Sequence, residues 1–269
     1  MALRIQNNVE AFNAHRQLVG TGLKTAKTME RLSSGYRINR AADDAAGLAI
    51  SEKLRAQIGG LGQAQRNTQD AVSLVQTAEG AMAEVHSMLQ RVRDLAVQYN
   101  NGTLSTADRA AITAEVAQLS AEVGRIGADT KFNGIDLLAG GAAISFQVGA
   151  GDGQTISVNA RTLVGTDVDS TIFDFTGTTV TLASIDTAIE NVSTARAEFG
   201  AVQNRLEHTL NSLAQYEENL TASESRIRDV DMAQEMVQFT KLNILQQAGT
   251  SMLAQANQAP QGVLSLLRG

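Results

Sequence analysis

The sequence predicts a mainly α protein made of long, rod-forming helices with one small β-hairpin region. Three observations lead there. An apolar residue stands at every seventh position from Ile185 to Ile227, and a second stripe steps alternately by four and three from Ala71 to Tyr99. Only Gly140 to Ala183 departs from this pattern, turning to Gly, Thr, Asp and β-branched residues.

In chain order, the first apolar face is Ile5, Val9, Phe12, Val19, Leu23 and Ala26, interrupted by Gly20 and Gly22. The run RINRAADDAAGLAI, Arg37 to Ile50, follows and sets two aspartates side by side among small residues. Adjacent residues on a helix point about 100° apart, so Asp43 and Asp44 do not converge on one ion. At the start of a helix they would instead face the positive end of its dipole, with Asp44 within reach of Arg40. The flanking alanines and Gly47 let another backbone approach closely. These features suggest a structural joint, with Asp43 and Asp44 starting a long helix, and not a catalytic pair.

The second stripe, Ala71, Val75, Ala78, Met82, Val85, Leu89, Val92, Ala96 and Tyr99, belongs on that helix. NNGTLSTAD, Asn100 to Asp108, reads as a turn in which Ser105 and Asp108 form a capping box for the next helix. That helix carries Ile112, Val116, Leu119, Val123 and Ile126. Ile144, Phe146 and Val148 alternate with polar neighbours, GAGDGQ makes a turn, and Ile156 and Val158 alternate again, predicting a hairpin as the one clear strand region.

The heptad stripe then runs through Ile185, Val192, Phe199, Leu206, Leu213, Leu220 and Ile227. Ala188, Ala195, Val202, Thr209, Tyr216, Ser223 and Val230 lie three positions on. An unbroken helix from Leu182 to Val230 would be roughly 70 Å long. Three stripes of one period imply three helices in one bundle. Toward the end, Val237, Ile244 and Ala248 form one stripe and Leu242, Leu245, Met252 and Ala256 another. A helix apolar on more than one side must be surrounded, and neighbouring copies of the chain are the natural supply.

Composition excludes several functions. Aromatics are 4% of the 269 residues, Trp and Cys are absent, and Pro260 is the only proline, which suits long helices better than an aromatic-packed enzyme core. A net charge of −6 argues against a nucleic-acid footprint. No apolar stretch approaches a membrane span, and the N-terminus has no signal-peptide pattern, so secretion would need another route. His15, His86 and His208 are scattered without ligand spacing. GAGDG lacks the Lys-Ser/Thr of a phosphate loop, and no nucleophile elbow occurs. Sequons occur at Asn101, Asn191 and Asn219, the last two inside the predicted long helix. No enzyme activity, metal or cofactor is expected.

The motifs together resemble one family, bacterial flagellin. The resemblance runs through ERLSSGYRINRAADDAAGLAI (Glu30 to Ile50), RNTQDAVSLVQTAEGAM (Arg66 to Met82), LQRVRDLAVQ (Leu89 to Gln98) and KFNGIDLL (Lys131 to Leu138). It resumes in RAEFGAVQNRLEHTLNSL (Arg196 to Leu213) and in Ser225 to Gly269, with NILQQAGTSMLAQANQAPQGVLSLLRG at the end.

The resemblance implies a long antiparallel helical rod and coiled coil with the N- and C-terminal helices paired. Residues 1–43 and 228–269 would form an inner coiled-coil domain. Residues 44–227 would form an outer helical rod with its hairpin near 140–183, in a short form without the variable outer domains. It also implies a subunit that assembles into the flagellar filament for swimming and is exported by the flagellar type III system without a cleaved signal peptide. Expected partners are other copies of the chain, an export chaperone, hook-junction and cap proteins, and no nucleic acid or membrane.

Polymerisation residues implied are Ile5, Val9, Phe12, Ile244, Leu245, Met252, Val263, Leu264, Leu266 and Leu267, and the domain junction is Arg40, Asp43 and Asp44. Positions matching the contact with animal Toll-like receptor 5 are Arg91, Leu95 and Glu115, with Asp94 where that motif carries Glu. Two alternatives stay open: a hook–filament junction protein of the same superfamily, and a soluble signalling coiled coil. The C-terminal ending favours flagellin over the first, and the apolar termini argue against the second.

Overall fold

Five α-helices carry most of the fold: α1 Val9–Ser34, α2 Ala45–Tyr99, α3 Thr106–Asp129, α4 Leu182–Arg228 and α5 Met232–Arg268. The computed structural model describes residues 8–176 and 180–268, and side chains as far as 258. The chain divides into two compact units: Gln57–Asn219, and Met1–Ala56 together with Leu220–Gly269.

In Gln57–Asn219 the three predicted stripes meet. Ala71, Val75, Ala78, Met82, Val85, Leu89, Val92, Ala96 and Tyr99 of α2 are all buried. They share one core with Ile112, Val116 and Val123 of α3 and with Ile185, Val192, Phe199 and Leu206 of α4. Leu213 closes the buried part of the heptad stripe, and Leu220 and Ile227 are only half-buried. Helices α2 and α4 run antiparallel, as the ion pairs Arg93–Asp186 at 2.6 Å and Glu79–Arg196 at 3.7 Å show.

The turn between α2 and α3 is held by Asn100, whose amide donates to the Val180 carbonyl and accepts from the Val180 N–H. The Tyr99 hydroxyl donates to the Phe175 carbonyl at 2.8 Å. The predicted capping box is present. The Ser105 hydroxyl accepts from the Asp108 N–H while the Asp108 carboxylate accepts from the Ser105 N–H, satisfying donors that a helix N-terminus leaves open.

The expected hairpin is β3 Ile144–Gln147 paired antiparallel with β4 Thr155–Val158, and its Val148, Ile156 and Val158 join the core. A second ladder corrects the expectation of a single strand region: β1 Lys131–Phe132 pairs with β2 Ile135–Asp136. Asn133 and Gly134 turn it with φ of 49° and 80°, values that Asn and Gly tolerate in a tight hairpin turn. Two-residue strands are too short for an alternation signal, and Asn133-Gly134 was the cue available.

In Met1–Ala56 with Leu220–Gly269, α1 and α5 pair antiparallel. The Asn8 amide donates to the Ala256 carbonyl at 2.7 Å, Leu18 lies against Gly249, and Arg31 faces Glu235 at 3.7 Å. Asn8 also caps α1 by accepting from the Ala11 N–H. Gly35, at φ 76°, ends α1 in the left-handed conformation and returns its N–H to the Arg31 carbonyl. At the head of α5, the Asp231 carboxylate accepts from the N–H groups of Ala233 and Gln234.

Candidate functional site

Two features of the terminal unit stand out: a tightly bonded joint at one end of the helix pair, and apolar faces that the pair leaves open.

The joint is built where the chain leaves α1 and where it passes from α4 to α5. The Arg37 N–H donates to the Arg228 carbonyl at 2.7 Å and the Val230 N–H to the Gly35 carbonyl at 3.0 Å, so Tyr36 and Asp229 form an antiparallel bridge. The Arg37 guanidinium donates to the Ile227 carbonyl at 2.6 Å. Arg228 lies over the Tyr36 ring at 4.9 Å and reaches Glu52 at 2.7 Å, combining cation–π and ionic contacts. Ile38 is buried at the centre.

Asp43 and Asp44 divide their work. Asp43 lies outside α2. Its carboxylate receives the Lys27 ammonium at 2.6 Å and the backbone N–H groups of Arg40 and Asn39. These charge-assisted bonds, Lys27 first, hold its pKa down at about 2. Asp44 is the cap of α2, accepting from the Gly47 N–H at 2.9 Å. The expected approach of Asp44 to Arg40 is not made. Arg40 turns to Glu30 at 2.8 Å, because the chain from Ala41 to Asp44 is a turn and not helix, which removes the helical spacing.

At Gly47 a Cβ would strike the Asp44 carboxylate and come within 2.8 Å of Ile38 Cδ1, so a larger residue requires both side chains to shift. Arg40, Asp43 and Asp44 all fall inside the terminal unit. Tyr36, Arg37, Glu52 and Arg228 carry no local sequence signal, because their partners lie up to 190 residues away.

The open faces are larger. Phe12 and Leu23 of α1 are each 70% exposed, and Val237, Ile244 and Met252 of α5 are 71%, 61% and 63% exposed. Val9, Val19 and Leu245 are about half exposed as well. Leu242, on the side of α5 facing α1, is buried. So α5 is apolar on two sides and only one is covered. Met236, Val237, Thr240, Lys241, Ile244 and Leu245 line an open groove of about 490 Å³ along the uncovered side. Contiguous exposed apolar surface of this kind marks an interaction site. Of the predicted polymerisation residues, Val9, Phe12, Ile244, Leu245 and Met252 lie on these faces. Ile5 is outside the described residues, as are the side chains of Val263, Leu264, Leu266 and Leu267.

In the other unit, Arg91 of α2 and Glu115 of α3 are exposed and pair at 2.7 Å. Leu95, one turn along, is 2% exposed and belongs to the core. His86 meets Gln90 on its own helix at 3.0 Å, and His15 and His208 are exposed. Among the described residues, no helix is long and apolar enough to cross a membrane.

Comparison with known proteins matches the two ends of the chain separately. Residues 5–143 match the family model of the bacterial flagellin N-terminal helical region, and residues 182–267 match that of the bacterial flagellin C-terminal helical region. A flagellin of Halalkalibacterium halodurans is 52% identical, covering 98% of this chain and 99% of its own. A flagellin of Bacillus subtilis is 48% identical, covering 99% and 100%. The crystal structure of Bacillus cereus flagellin, 35% identical, superposes on 55% of this chain and 88% of its own with a TM-score of 0.51. With both helical regions matched and half the residues shared with relatives over nearly the whole length, the chain belongs to the bacterial flagellin family.

Proposed function

We propose that this protein is the structural subunit of a bacterial flagellar filament, assembling with copies of itself to drive swimming. The observation that carries this reading is the pair α1 and α5, in which both ends of α1 and the start of α5 are capped while an apolar face stays open on each helix. A repeated contact between one such face and a different surface of the next copy does not close on itself and so generates a helical fibre. Burial of those faces, together with the apolar residues near both ends of the chain (Ile5, Val263, Leu264, Leu266 and Leu267), supplies the driving force.

In this reading, residues 1–43 and 228–269 form the inner domain of the filament and 44–227 the outer rod, with Arg40, Asp43 and Asp44 at their junction. The family supports export through the flagellar type III system without a cleaved signal peptide. It also supports contacts with an export chaperone and with hook-junction and cap proteins, and an extracellular destination in the filament.

The test is seeded polymerisation of purified protein, followed by negative-stain microscopy. Full-length protein elongates seeds into long filaments, whereas a truncation lacking Gly249 to Gly269 stays a helical monomer. Normal filaments from the truncation would refute the proposal. Recognition by Toll-like receptor 5 is a second reading supported by exposed Arg91 and Glu115. Leu95 would act there by shaping the ridge beneath Arg91. Titration of monomer with the receptor ectodomain tests it, and wild-type affinity in Arg91→Ala would count against it.

A further inference from the structure

The methionines are distributed unevenly. Of the six described, Met82 is fully buried and Met88 packs half-buried against the same core, both within Gln57–Asn219. The other four, Met29, Met232, Met236 and Met252, all belong to the terminal unit, and each is about half or more exposed. Met236 lines the apolar groove with Val237 and Ile244, and Met232 stands one helical turn before it. Met252 lines a second opening beside Glu10 and Asn13 of α1. Three of these thioethers are therefore reachable on the faces left open on the free subunit, and Met29 is reachable on α1.

We infer that these four methionines make assembly sensitive to oxidant in the free subunit: peroxide converts them to sulfoxides and withdraws the subunit from polymerisation, while subunits already assembled are shielded. This rests on the reading that the terminal faces are the polymer contacts. The chemistry balances simply. A thioether sulfur attacks one oxygen of hydrogen peroxide, the O–O bond breaks, and methionine sulfoxide and water are the products.

A sulfoxide changes a flexible apolar side chain into a polar one that must keep its hydrogen bonds to water. On a surface that remains wet this costs little. On one that a neighbour must dry, the S=O oxygen becomes a buried acceptor without a partner. The protein has no cysteine to take the oxidant first. Reduction by a methionine sulfoxide reductase would reverse the block.

The experiment treats full-length monomer with dilute hydrogen peroxide, removes it with catalase, and measures elongation on untreated seeds. Peptide mass mapping assigns the sites, and circular dichroism monitors helix content. Met29, Met232, Met236 and Met252 should oxidise before Met82 and Met88, with helix content unchanged and elongation slowed about tenfold or more. Preformed filaments under the same treatment should show little oxidation at the four sites. A variant with all four changed to Leu, a swap that conserves volume and apolarity, should elongate as well after peroxide as before.

The inference fails if oxidised wild-type elongates normally, if the four-Leu variant is slowed as much as wild-type, or if assembled and free subunits oxidise alike. If untreated monomer does not elongate seeds at all, the filament reading itself fails, which is distinguishable from each of those results.

Discussion

Truncating Ile244 separates assembly from folding. In the free subunit its side chain is 61% exposed, whereas Leu206, in the heptad core of α4, is fully buried. Leu206→Ala removes buried methyls and leaves a cavity, costing about 2–5 kcal/mol of subunit stability. Ile244→Ala removes atoms that already face solvent, leaves no cavity, and should stay within roughly 0.5–1 kcal/mol of wild-type. On assembly the balance reverses. Full burial of an isoleucine is worth about 1.5–3 kcal/mol, and about three-fifths of that remains to be gained when a neighbour covers Ile244. The filament contact therefore loses roughly 1–2 kcal/mol per subunit, an increase of about 5- to 30-fold in critical concentration.

Urea unfolding followed by circular dichroism gives the first quantity, and sedimentation of filaments at graded subunit concentration gives the second. The reasoning is refuted if Ile244→Ala destabilises the monomer as much as Leu206→Ala, or if its critical concentration is that of wild-type.

The joint yields two further expectations. Gly47→Ala forces a Cβ into the Asp44 cap and Ile38 and should cost about 1–3 kcal/mol, and Asp44→Ala, which only removes the cap, should cost about 1 kcal/mol; wild-type stability of Gly47→Ala in urea would show that Gly47 is not a close approach. The Asp43 carboxylate titrates at about 2 in the folded protein, below its ordinary 3.8. Its contribution to stability is thus present above its ordinary pKa and lost as pH falls toward 2. Asp43→Asn should flatten that acid limb, as read from thermal melts across the range, and an unchanged limb would assign the acid sensitivity to other groups.

The helical body was legible because its information is local and periodic. Ile185 through Leu213 and Ala71 through Tyr99 repeat at helical spacing, so each helix and its buried face could be read without knowing the partner. The capping box at Ser105 was legible for the same reason, since both partners sit within one turn. The β1–β2 ladder has no periodic signal because its strands are two residues long, and only Asn133-Gly134 marks its turn. Asp43 and Asp44 were placed near a helix start, but adjacency in sequence hid their separation into a capping residue and an ammonium-bound loop residue.

The class of the fold and the apolar faces of the long helices were legible from the sequence, because helical periodicity and capping are set within a few residues. Tertiary structure decided the rest: that Leu242 is covered while Val237 and Ile244 stay open, that Leu95 belongs to the core while Arg91 meets Glu115, and that Arg228 closes on Tyr36 and Glu52. A stripe's period says that a face will be buried. Which neighbour buries it depends on contacts between segments far apart in the chain.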